Sequence, residues 1–187
     1  MDLVYKTTML TQGGRGGQVQ SEDGSFKLKL AVPKEMGGSG EGPNPEMLFA
    51  GAFAACFEHS IRHIAKADKL PLRGCYVEAT LSMYVNFEGA YRMALSLTAT
   101  LAGPLDQVTA DSLMERAKGI CPYADATKTN MSLNLKAVLD TPVTSAATTP
   151  ARTPLLSALL TMYSTSGPGV RLSNQPAAMN KSSCGVS

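Results

Sequence analysis

The stretch NPEMLFAGAFAACFEHSI, residues 44–61, decides the main helix of this chain and sets a cysteine, Cys56, in its middle. Asn44 suits an N-cap, Pro45 suits the first turn, and Glu46 stands where the positive end of the helix dipole favours a carboxylate. The apolar periodicity that follows predicts a helix running to about Ala67. A free cysteine in such a helix ordinarily behaves as a small hydrophobe. Any chemical role for Cys56 has to be argued from what the rest of the chain brings to it.

From Asp106 to about Ile120 a second helical pattern places Leu113, Met114, Ala117 and Ile120 on one stripe, and it stops at Cys121-Pro122. Proline biases the residue before it away from helical geometry, so Cys121 is expected at a helix exit. Elsewhere the period is two. FKLKLAV (26–32) alternates and follows the turn signal Glu22-Asp23-Gly24, which pairs it with GQVQS. VEATLSMYV (77–85), MALSLTATL (93–101) and MSLNLKAVL (131–139) alternate in the same way, the first two joined through Gly89. These patterns predict an α+β domain of about six strands and two main helices, with an antiparallel sheet and the helices on one face.

At Thr141 the patterning ends. Residues 141–187 are rich in Thr, Ser, Ala and Pro, with Arg152, Arg171 and Lys181 as their only charges, which reads as a flexible extension to a 1–140 domain. Within it, LLSALLTMY (155–163) has the composition of a short helix or docking motif, or of an incidental apolar patch. Residues 1–140 carry 14 basic and 15 acidic side chains, without the basic, aromatic-interleaved footprint of a nucleic-acid binder. No run approaches the roughly 20 apolar residues that span a bilayer, and MDLVYKTTML lacks a secretory h-region. A cytoplasmic protein is expected. Four cysteines in that compartment point to catalysis, redox sensing or metal binding rather than to a disulfide framework.

Cys56 and Cys121 are distant in sequence, but two helices packed side by side on a sheet can bring them together. If they meet, one thiolate can attack an electrophilic oxygen, become a sulfenic acid, and condense with the second thiol. Ala52, Phe53, Ala55 and Phe57 surround Cys56 with apolar side chains, and burial suppresses the thiolate. A cation would have to reverse that shift. Arg15, isolated in GGRGG, is the candidate, because arginine stays charged in apolar surroundings. Glu46 is the carboxylate suited to hold it, but ten residues of helix separate Glu46 from Cys56 by about 15 Å. Arg15 and Glu46 are therefore expected to reach the thiol more easily from a second subunit. The bland readings are a solvated loop charge for Arg15 and a helix-dipole residue for Glu46. A zinc site also has legal spacing, with Cys56, His59 and His63 at i, i+3 and i+7 and Cys121 as a fourth ligand.

Together GGRGG (13–17), SEDG (21–24), GGSGEGPNPEMLFAGAFAACF (37–57) and CPYADATKTN (121–130) resemble the organic hydroperoxide resistance (Ohr) branch of the Ohr/OsmC superfamily, in order, up to about Leu139. The resemblance implies an interlocked homodimer and a thiol peroxidase that reduces alkyl and lipid hydroperoxides to alcohols. Cys56 would be the peroxidatic cysteine, Cys121 the resolving one that closes an intrasubunit disulfide, and Arg15 and Glu46 the activating pair. It further implies no bound metal or flavin, with dihydrolipoamide or a lipoylated protein as external reductant. The chain departs from the usual pattern at Lys118-Gly119, at Ala124-Asp125 and in its extension with Cys184. Cys75, outside both motifs, reads as structural. An OsmC-branch peroxidase and a thiol redox sensor that oxidises without turnover are the neighbouring readings.

Overall fold

The computed structural model describes residues 2–140. The expectations for 141–187, among them the 155–163 segment and Cys184, lie outside the described residues.

Helix α1 (Pro45–Ala67) starts as its local chemistry dictates, with the Asn44 side chain accepting the Met47 N–H at 2.9 Å. It stops on a left-handed residue, Lys69, at φ 54°. The Leu70 N–H returns to the Ala65 carbonyl at 2.9 Å and the Lys69 N–H to Lys66 at 3.2 Å, the double closure of a Schellman cap built without glycine. Helix α2 (Gln107–Ile120) is capped by Asp106, whose carboxylate accepts the Thr109 N–H at 2.7 Å. Cys121, extended at φ −73° and ψ 117°, ends α2 and immediately starts α3 (Pro122–Thr127), a short helix beyond the two that periodicity predicts.

The strands form two three-stranded sheets. In the first, β1 (Met9–Gln12), β2 (Gln18–Ser21) and β3 (Lys27–Lys29) are antiparallel in sequence order, and the β2–β3 pairing is the hairpin expected from the Glu22-Asp23-Gly24 turn. In the second, β4 (Gly74–Val85) and β5 (Tyr91–Ala102) form a long hairpin, while β6 (Ser132–Asp140) joins β5 in parallel, Leu95 opposite Leu133 and Leu97 opposite Leu135. The expectation of an antiparallel sheet is thus corrected to a mixed one. Parallel neighbours need a long crossover, and α2 with α3 supplies it between β5 and β6.

One face of this second sheet carries the core. Phe53, Phe57 and Ile61 from α1 meet Leu95, Leu97 and Leu101 from β5, with Leu113 and Cys121 from the α2 side, all fully buried. Each such large side chain contributes roughly 1.5–3 kcal/mol through burial, so α1 and α2 are held by several independent contacts. The consequence for the site is positional. The middle of α1 and the end of α2 are fixed against the same sheet, and a cysteine stands at each point.

Candidate active site

Cys56 and Cys121 meet. Their Sγ atoms lie 3.4 Å apart, and both thiols are free. Cys121 is completely buried, whereas Cys56 is half-buried and lines a groove of about 570 Å³ between α1 and the end of α2. Phe53 and Phe57 are buried beneath it as expected, but Ala52 and Ala55 are exposed, because the helical turn carries them onto the opposite side of α1. Phe53 also stacks at 5.8 Å on the ring of Tyr123, which fixes the start of α3 against α1. One turn after the thiol, the buried Ser60 hydroxyl donates to the Cys56 carbonyl at 3.0 Å.

Burial pushes the Cys56 thiol above its ordinary value, the neighbouring Cys121 pushes it further, and the Tyr123 backbone N–H works in the opposite direction. None of these influences is a cation. Within one chain, then, Cys56 has a second thiol at contact distance, and its raised pKa disfavours the thiolate.

Arg15 and Glu46 form the second pair. Arg15 sits in a 3-10 turn, Gly14–Gly16, entered through Gly13 at φ 80°. A Cβ on Gly17 would lie 1.8 Å from the Gln12 carbonyl oxygen, so only glycine allows this tight return. The guanidinium grips the carboxylate with both arms, Nη1 to Oε2 at 2.8 Å and Nη2 to Oε1 at 2.6 Å. That fork holds the Glu46 carboxyl below its usual range and raises Arg15. The glycine-framed turn and the carboxylate clamp were legible in the sequence. Neither residue lines the Cys56 groove.

The histidines of the zinc reading, His59 and His63, line the groove with ring centroids 6.4 Å apart. Among the described residues, no group of three or more His, Cys, Asp or Glu side chains is disposed to hold a metal ion, so the Cys56–His59–His63–Cys121 set does not assemble. Cys75, the second residue of β4, is half-buried, and burial lifts its thiol to about 12. Two contributors escaped sequence reasoning. Tyr123 acts through its backbone, and Arg116 borders the groove from a helix face with no motif to mark it.

Two helices laid on a mixed sheet, with an accessible thiol touching a buried one, define a two-cysteine protein of the α+β class. The chain belongs to the Ohr/OsmC superfamily: residues 38–136 match the OsmC-like protein family. It is 37% identical to organic hydroperoxide resistance protein-like 2 of Staphylococcus saprophyticus over 71% of this chain and 94% of that one. It is 34% identical to the organic hydroperoxide resistance protein of Xanthomonas axonopodis, with the same coverages. The fold superposes on an organic hydroperoxide resistance protein from Legionella pneumophila with a TM-score of 0.70 at 38% identity, over 73% of this chain and 98% of that one. OhrB of Bacillus subtilis gives 0.65 at 28% identity, over 73% and 100%. Family membership points to organic hydroperoxide resistance as the biological setting.

Proposed function

We propose that the protein is a cysteine-based peroxidase that reduces organic hydroperoxides. The observation that carries this reading is the contact of two free thiols at 3.4 Å, of which only Cys56 reaches a groove. The Cys56 thiolate attacks the distal oxygen of ROOH; the O–O bond breaks, the alkoxide takes a proton and leaves as ROH, and Cys56 becomes a sulfenic acid. The Cys121 thiol then attacks that sulfur, an S–S bond forms and water leaves. A dihydrolipoyl dithiol reduces the disulfide by exchange and is itself oxidised to the cyclic disulfide. No resident metal or flavin enters this cycle.

Activation of Cys56 requires a cation, and Arg15, clamped by Glu46, is suited to the task from a second subunit. Two observations support that arrangement. The influences on Cys56 within one chain include no cation, and Leu3, Val4, Tyr5, Met9, Leu10 and Phe26 leave an apolar surface exposed around the first sheet, as a homodimer interface requires. Among the described residues no helix is long and apolar enough to cross a membrane, and the free thiols suit the reducing cytoplasm.

The test is steady-state turnover with cumene hydroperoxide and with hydrogen peroxide, dihydrolipoamide as reductant and Cys56→Ser as control. Cys56-dependent cycling that favours the organic peroxide is the expected result. One stoichiometric oxidation without cycling would instead make the protein a redox sensor.

A further inference from the structure

Cys121 stands at a corner of the chain. Its N–H reaches back to the Ala117 carbonyl at 2.9 Å as α2 ends, and its own carbonyl accepts the Asp125 N–H at 3.0 Å as α3 begins. Between these bonds the backbone is extended, at φ −73° and ψ 117°, and Pro122 has no N–H with which to add another. These bonds join α2 to α3, but none of them ties the buried thiol to α1, where Cys56 stands.

Tyr123 supplies such a tie. Its ring lies 5.8 Å from that of Phe53, tilted by 46°, and Phe53 is fully buried on α1 one turn before Cys56. Phe53 in turn meets Phe49 edge-on at 5.9 Å. The Thr127 hydroxyl donates to the Tyr123 carbonyl at 2.8 Å and couples the anchored residue to the rest of α3. Tyr123 is itself 42% exposed, so shortening its side chain leaves the core beneath it in place.

The distance at stake is short. The sulfurs, now 3.4 Å apart, have to close to about 2.0 Å when the disulfide forms. Peroxide reaches Cys56 from the groove, so the sulfenic oxygen is left on that side and Cys121 attacks from the buried side. A competing reaction is open to the same intermediate: the sulfenic sulfur attacks a second ROOH, the O–O bond breaks, ROH leaves and Cys56 becomes a sulfinic acid. The outcome depends on how soon Cys121 arrives.

We propose that Tyr123 is a positioning residue for the disulfide-forming step: stacked on Phe53, it keeps Cys121 within reach of Cys56 and so protects the sulfenic acid from hyperoxidation. This rests on the peroxidase reading and concerns its second step alone. The ring makes the contact, so the hydroxyl is dispensable.

The experiment gives the reduced full chain, Tyr123→Ala and Tyr123→Phe rising concentrations of cumene hydroperoxide without reductant, so that disulfide and sulfinic acid are the two end products. Intact-protein mass spectrometry reads their ratio. Tyr123→Ala is expected to raise the sulfinic-to-disulfide ratio about tenfold at any one peroxide concentration, on the order of the loss that misplacing a reacting group brings, while Tyr123→Phe keeps the original ratio. A fraction of misfolded protein lowers both products alike, and the rate of first attack on each variant corrects for any change in access to Cys56. An unchanged ratio in Tyr123→Ala, or one raised as far in Tyr123→Phe, overturns the role of the stack and leaves the peroxidase reading standing. Neither product in the unaltered protein overturns both.

Discussion

Cys56 and Cys121 touch through their sulfurs at 3.4 Å although 65 positions separate them in the chain. The two are not equivalent. Cys121 is fully buried where α2 passes into α3, while Cys56 faces the groove. This asymmetry predicts different consequences for two serine substitutions. Cys56→Ser lowers peroxide consumption by about a thousandfold or more, as loss of a nucleophile does. Cys121→Ser still consumes about one equivalent of peroxide per subunit and accumulates a sulfenic acid on Cys56. Dimedone trapping with mass spectrometry checks both; a trapped Cys121 in the Cys56→Ser protein would reverse the assigned roles.

In the proposed mechanism the Arg15–Glu46 fork supplies the cation for thiolate formation. With burial and Cys121 holding the Cys56 pKa above its ordinary value, the thiolate fraction at neutral pH is small unless a cation arrives. Arg15→Ala is therefore expected to move the pH dependence of Cys56 alkylation to higher pH. Glu46→Gln shifts it less, because the cation survives without its clamp. Iodoacetamide rates across pH 6 to 10 provide the measurement, and superimposable profiles for the three proteins would sever the pair from the thiol.

Alkaline stability is governed in part by Cys75. Its folded pKa, about 12, lies above the ordinary 9.0, so the folded state favours the neutral thiol. The associated stability is fully present below about pH 9 and is lost as pH rises towards 12. Cys75→Ala should flatten that loss, at the cost of a small cavity. Denaturant unfolding at pH 8 and pH 11 separates the two effects, since the cavity penalty is the same at both.

Lys69 holds a left-handed conformation that side chains adopt at a penalty of roughly 1–2 kcal/mol. Lys69→Gly relieves it, partly offset by the greater freedom of glycine in the unfolded chain. A net gain of about 0.5–1 kcal/mol is expected in chemical denaturation. The opposite sign is expected in the core, where Phe53→Ala removes a fully buried ring packed on Phe49 and Tyr123 and should cost about 3–5 kcal/mol.

What sequence alone determined is what neighbouring residues decide among themselves. Asn44-Pro45 starts α1 because the cap acts over three residues, Asp106 starts α2 in the same way, and Pro122 expels Cys121 from the helix by steric contact with the residue before it. The alternation in 77–85, 93–101 and 131–139 made strands visible for the same local reason. Alternation has no direction, however, so the parallel pairing of β6 on β5 became visible only once α2 and α3 were seen to carry the chain back across the sheet. Motif order and family resemblance paired Cys56 with Cys121 as an expectation. Their contact, the burial of one and the exposure of the other, and the recruitment of Arg116 to the groove depend on where packing sets two helices on one sheet, and packing joins residues that sequence spacing cannot relate.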